Sequence, residues 1–201
     1  MLYGERRCES YSARSGAKTK AKMEGVMDQT LSRSGEGRSP QQLRRELQQG
    51  ETDDLWRRRA IIGLSLVGMT AMAAVSLLQT GVIRHLPDPP LESFDSDKVN
   101  SSDTAYALGV PDGTLSLASL AVNVPLAACG GIDRVREQPW VPLAAAGKAA
   151  VEAAAAGWYF YQMPAKEKKW CGYCIVGALC NFGIFALTLP EAKKSLAALR
   201  R

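Results

Sequence analysis

Three stretches of this chain carry no charged residue: Ala60 to Ile83, Thr114 to Ile132 and Trp170 to Pro190, runs of 24, 19 and 21 residues. A helix on a water-soluble protein keeps a charged face, and crossing about 30 Å of hydrocarbon takes about 20 apolar residues. Runs of this length exclude an ordinary soluble domain, although a mean hydropathy of −0.12 would by itself suggest one. A further stretch, Trp140 to Met163, is alanine-rich, so neighbouring helices can pack closely on it. Its Lys148 and Glu152 stand four residues apart on one helix face. The sequence therefore predicts an all-α fold. Residues 57–201 form a polytopic membrane four-helix bundle with spans at about 60–83, 114–132, 140–163 and 170–190. Pro125 and Gly130-Gly131 predict a kink and a sharp turn at the end of the second span.

Residues 1–56 are a long polar tail, rich in Ser, Gly, Gln, Arg and Lys, that cannot bury enough apolar surface to offset its chain entropy. It is expected to be disordered unless a partner holds it, and it would then connect the protein to a larger membrane protein complex. One piece reads as a helix, with Ser39-Pro40 as cap and first turn ahead of Gln41 to Gln49. The opening through Met23 has some character of an organellar transit segment, but Glu5 and Glu9 argue against it. Residues 1–59 carry 13 basic and 9 acidic side chains and hold most of the net charge of +5. Basic flanks of membrane spans explain this charge without nucleic acid, for which the chain offers no basic helix interleaved with aromatics. Arg57 to Arg59 before the first span and Lys193, Lys194, Arg200 and Arg201 after the fourth put both termini on the cytosolic or stromal side. The loop Arg84 to Gly113, with two basic and six acidic residues, falls on the other side together with the start of the fourth span.

That start reads Trp170-Cys171-Gly172-Tyr173-Cys174, a C-x-x-C at the first turn of a membrane helix. Two cysteines at this spacing can close a disulfide or stand as a dithiol. The unpaired N–H groups of a helix start favour a thiolate, and Lys168 and Lys169 would favour it further. A bound metal would need two more ligands, and the single histidine, His85, has no cysteine near it in the chain, so no metal site is expected. The bland alternative, that the two cysteines only fill a helix turn, stays open. Cys129 and Cys180 read as small packing residues.

Taken together, residues 56–201 resemble the vitamin K epoxide reductase family in a bacterial-type single-domain form. The resemblance rests on the four-span order, on Val99-Asn100-Ser101-Ser102 leading to Leu108-Gly109-Val110-Pro111-Asp112, and on Trp170-Cys171-x-x-Cys174. It implies a helical bundle around a quinone of the menaquinone, phylloquinone or plastoquinone class, in a thylakoid or bacterial inner membrane. It also implies catalytic roles for two residues: Cys174 facing the quinone, and Cys171 exchanging disulfides with an incoming dithiol on a thioredoxin-like protein.

Two departures from the family pattern stand out. The loop Arg84 to Gly113 lacks the second cysteine pair of relay-type members, with Asn100-Ser101-Ser102 where one of those cysteines is expected. Ala178 stands where some members have a tyrosine one turn below the second cysteine, which removes a hydrogen-bond donor to a quinone carbonyl. Asn181, seven residues beyond Cys174, lies on the same helix face roughly 10 Å deeper and can take over that role, or can instead bond a neighbouring helix. Asn123 carries the same two readings. Lys148 and Glu152 should face each other, the bundle interior or water, either as a proton path or as a structural pair. The expected function is thiol–quinone oxidoreduction, and the rival is a non-catalytic scaffold or connector subunit that keeps the same bundle.

Overall fold

The computed structural model describes residues 39–200, and among them there are helices and no strand. They fall into two units, one ending at Gln48 and one starting at Gln49. The transit and connector readings of the opening residues lie outside the described residues.

Helix α1, Pro40–Gln49, forms where its cap is written. The Gln42 amide donates to Ser39 Oγ at 3.2 Å and the Ser39 amide to Gln42 Oε1 at 2.9 Å, a reciprocal capping box. None of its residues is buried.

In the second unit, helix α2 runs from Asp53 to Gln79, starting well ahead of the apolar run. Thr52 Oγ1 accepts from the Leu55 amide at 3.3 Å, and Asp53 and Asp54 meet the positive end of the helix. Arg57 to Arg59 thereby become helical. The short α3, Ser96–Asn100, and a 3₁₀ turn, Asp103–Tyr106, lead to α4, Asp112–Ala128. A single turn, α5 at Arg134–Glu137, precedes α6, Trp140–Gln162, which ends in a π-turn at Met163–Glu167. Helix α7, Gly172–Leu199, continues through Pro190.

The four long helices pack on one another: α2 lies along α4 and α7, α7 along α6, and α4 touches α6. Ile61, Met72 and Val75 of α2, Leu120 of α4, Ala149 of α6 and Ile184 of α7 share one apolar core. Close approach is local to small residues. A Cβ on Gly68 would stand 3.0 Å from Leu120 Cδ1 and 3.3 Å from Cys180 Cβ. Helices α2 and α7 are long and apolar enough to cross a membrane. Helix α4 has 17 residues, and α6 carries Lys148 and Glu152 near its middle.

One end of this bundle is tied by ions rather than apolar contact. Arg58 and Arg134, each 2% exposed, both bond the carboxylate of Glu191, itself 4% exposed. Arg58 donates also to the Gly131 carbonyl at 2.9 Å, and Arg134 to those of Leu126 and Cys129 at 2.8 and 2.9 Å. The guanidinium groups thus satisfy carbonyls freed where α4 stops, and they join α2, α5 and α7. At the other end the acidic residues of the 84–113 loop fold it. Asp88 accepts from the Ser96 amide and hydroxyl, both at 2.6 Å, Asp95 caps α3 through the Lys98 amide at 2.9 Å, and Asp97 accepts from Leu86 at 2.8 Å. Asp97 also bonds His85 and raises its pKa above the ordinary histidine value. The loop is strapped to the start of α7 by a bridge between Phe94 and Trp170, in which the Trp170 amide donates to Ser93 O at 2.8 Å.

Candidate functional site

The strap brings Asn100, the last residue of α3, against the C-x-x-C at the head of α7. Cys171 is the extended residue ahead of the apolar helix, and its sulfur caps that helix by accepting from the Cys174 amide at 3.2 Å. Asn100 reaches both sulfurs: Nδ2 donates to Cys171 Sγ at 3.2 Å, and Cys174 Sγ donates to Oδ1 at 3.4 Å. The amide is itself held, since Nδ2 also donates to Ser96 O at 2.7 Å and Asn100 is 1% exposed.

Cys171 and Cys174 are free thiols here, and they are not equivalent. Cys171 is fully buried, packed with Val99 and Met163. The single Cys174 S–H can go to Asn100 Oδ1 or to the Cys171 thiolate, and given to the thiolate it does most to bring the Cys171 pKa down to about 6, against the opposing effect of burial. Ser96, the Cys174 amide and Asn100 add to the lowering. The sequence reading assigned this role to Lys168 and Lys169, but neither is among the groups that lower the Cys171 pKa, and Lys169 is turned to the loop, where it bonds the Glu92 carbonyl. Hydrogen bonds to the thiolate therefore act in place of a neighbouring ammonium.

Cys174 faces the other way, into a cavity of about 280 Å³ between α2, α4, α6 and α7. Asn100, Ala178 and Asn181 share that lining with it. Ala178 provides space, and Asn181 presents a buried carboxamide oxygen that has no hydrogen-bond partner. Tyr159 and Phe160 of α6 also line the cavity, whereas their neighbours Trp158 and Tyr161 are 60% and 64% exposed. The aromatic run at the end of α6 is thus split, one pair outward and one pair inward. Among the described residues nothing hydrogen-bonds the Tyr159 hydroxyl. Asp112, Ser119, Glu152 and Glu167 are among the polar residues on the same lining.

Asn123 stands outside this lining. Its amide donates to Glu152 Oε2 at 3.0 Å, and its oxygen accepts from Lys148 Nζ at 3.0 Å. Lys148 bonds Glu152 and also the Ser119 carbonyl at 2.8 Å, and the Ser119 hydroxyl donates to Glu152 Oε1. The two charges face each other, as an ion pair in an apolar bundle must, and Glu152 borders the cavity. Cys180 is buried beside Gly68, while Cys129 is exposed.

Sequence reasoning gave no role to Asn100 or Ser119, and it read Tyr159 with Trp158, Phe160 and Tyr161 as an aromatic belt at the membrane interface. For Asn100 a signal existed: a polar residue that can both donate and accept, in the segment where a cysteine was expected. For Tyr159 no signal separated it from the interfacial aromatics beside it. Residues 59–189 match the model of the vitamin K epoxide reductase family. No curated protein matches the chain.

Proposed function

The chain belongs to the vitamin K epoxide reductase family, a membrane-embedded family of thiol–quinone oxidoreductases, and on that premise we propose that it passes electrons from an external dithiol through Cys171 and Cys174 to a quinone. The observation that carries this reading is the division of labour between the cysteines: Cys174 borders a cavity, and Cys171 lies behind it as the more acidic thiol.

The cavity fits a quinone ring in size and in polarity. Ligand sites of small molecules start at roughly 300 Å³, so about 280 Å³ suits a ring headgroup whose tail leaves the pocket. The unpartnered Asn181 oxygen is a place for a hydroxyl to donate, and the Asn181 amide and Tyr159 hydroxyl can donate to carbonyl oxygens. Asn181 and Tyr159 would hold the ring, with Ala178 leaving room for it. A bound quinone supplies an acceptor for two electrons and two protons. Asn123 acts on this site through Glu152 rather than by contact.

In the chain's own half of the reaction, an incoming thiolate attacks Cys171 of the Cys171–Cys174 disulfide, and a second attack from the same dithiol releases both cysteines reduced. Re-forming the Cys171–Cys174 bond gives up two electrons on the cavity side. In the dithiol, Asn100 keeps the sulfurs in register, since it bonds both. Cys171 is sealed by the Ser93–Trp170 strap, so a thioredoxin-like donor reaches it only after that strap lifts.

The reading further takes α2, α4, α6 and α7 as four membrane crossings, with both termini on the cytosolic or stromal side of a thylakoid or bacterial inner membrane. An impermeant thiol reagent should then label single cysteines in the 84–113 loop from one side and cysteines after Lys193 from the other. A scaffold role is the second reading, favoured by the absence of cysteines from that loop. The deciding experiment is dithiothreitol-driven reduction of 2,3-dimethyl-1,4-naphthoquinone by purified full-length protein. Cys171→Ser and Cys174→Ser should each abolish it, and Cys129→Ser and Cys180→Ser should leave most of it. Wild-type protein that reduces no quinone leaves the scaffold reading standing.

A further inference from the structure

Proton balance at this site leaves one proton unassigned. A disulfide that closes from one thiolate and one thiol, as the lowered Cys171 pKa favours, releases two electrons and a single proton. Reducing a quinone to a quinol takes two electrons and two protons. One proton must come from elsewhere, and the cavity lining is mostly apolar.

We propose that Glu152, working from its hydrogen-bonded cluster with Lys148, Ser119 and Asn123, is the group that relays this second proton from the Lys148 ammonium to an oxygen bound in the cavity. This rests on the thiol–quinone reading. The geometry supports it in three ways. Glu152 is a carboxyl group on the cavity wall, beside Ser119, on the lining that also carries Asn181. It is bonded at Oε1 by Lys148 and Ser119 and at Oε2 by Asn123, so its orientation is fixed before anything binds. Lys148 carries the proton one turn away on the same helix: its ammonium passes the proton to the Glu152 carboxylate as that carboxyl hands one to the bound oxygen, which leaves a neutral amine and a carboxylate until solvent restores the ammonium. Lys148 is thus a positioning residue and a proton reserve, and Glu152 the group that meets the bound oxygen.

The groups around Glu152 are Lys148 on its own helix, Ser119 and Asn123 on α4, and, across the cavity, Asn181 and Cys174 on α7. Asp112 lines the cavity at the start of α4, where Gln79 Nε2 donates to it at 2.6 Å. It serves as the control for a nonspecific carboxyl effect.

The test uses full-length protein in detergent, dithiothreitol and 2,3-dimethyl-1,4-naphthoquinone. Glu152→Gln should lower kcat by about 100-fold, within the range of general acid catalysis, with KM changed less than threefold. Its rate should fall tenfold per pH unit because hydronium must now supply the proton, while wild type stays flat over the same range; Glu152→Asp should recover part of the loss. Independently of turnover, the infrared difference spectrum between dithiol protein alone and dithiol protein with one equivalent of quinone should contain a shifted carboxylate band that Glu152→Gln removes and Asp112→Asn does not. Should Glu152→Gln fail to fold with Lys148 unpaired, Lys148→Met/Glu152→Gln removes both charges and carries the same expectations. A Glu152→Gln protein with wild-type kcat, pH profile and infrared band overturns the proposal while leaving the thiol–quinone reading intact. A wild-type protein that forms no quinol overturns both.

Discussion

The acidity of Cys171 can be changed one hydrogen bond at a time. Removing the Cys174 thiol with Cys174→Ala takes away the largest contribution that holds the Cys171 pKa at about 6. A hydrogen bond to a charged group contributes about 1.5–3 kcal/mol, and one pH unit corresponds to about 1.4 kcal/mol, so the midpoint should rise by about 1–2 units. Cys174→Ser keeps an O–H donor at the same place and should leave the midpoint near 6. Asn100→Ala removes a smaller contribution and should raise it by less than Cys174→Ala does. The assay is the carbon-13 shift of the Cys171 Cβ in reduced, cysteine-labelled protein followed against pH. A folded pKa below the unfolded value means that ionisation of Cys171 adds stability above the unfolded thiol range and that this contribution is lost as pH falls through about 6. Thermal melts of the reduced protein should therefore show Cys171→Ala costing more at pH 8 than at pH 5. A wild-type midpoint above 8, or a Cys174→Ala midpoint equal to that of wild type, would refute the hydrogen-bond account.

Three further outcomes follow from packing. Ala178→Phe should fill the cavity and abolish quinone binding, read by fluorescence quenching, while Cys171 keeps its midpoint; unchanged binding would mean the ring sits elsewhere. Gly113→Ala puts a Cβ 2.7 Å from Val75 Cγ1 and 3.3 Å from the Ser76 backbone nitrogen and should cost about 1–3 kcal/mol, whereas Gly177→Ala meets only the mobile end of Met72 and should cost less, as melting temperatures would report. Glu191→Ala leaves Arg58 and Arg134 buried without their carboxylate and should cost about 3–5 kcal/mol; a loss below 1 kcal/mol would mean that water replaces the carboxylate.

Much of the fold could be read from local pattern. Uncharged runs marked α2, α4 and α7, alanine marked α6, and Ser39-Pro40 marked α1. The helix ends were harder, because Thr52 caps α2 ahead of its apolar run and α7 tolerates Pro190 in a position where its first eighteen residues already fix its path. At the site, the cysteine pair was visible because its spacing is local. Its partner Asn100 was not, since 71 residues separate it from Cys171 and only the loop's carboxylate caps bring it there. Arg58 illustrates the same limit: its neighbours in sequence suggest a basic flank, yet Glu191, 133 residues away, makes it a core residue. Long-range polar pairing has no period, so composition and periodicity cannot announce it.

The most direct test of electron transfer through the cysteine pair is a single turnover. Dithiol protein, freed of reductant and mixed anaerobically with excess 2,3-dimethyl-1,4-naphthoquinone, is followed by quinol absorbance and then digested for mass spectrometry. The account predicts about one quinol per protein and a new Cys171–Cys174 disulfide, with neither product in Cys174→Ala. Both thiols remaining free after exposure to quinone, or quinol forming equally well in Cys174→Ala, would contradict it.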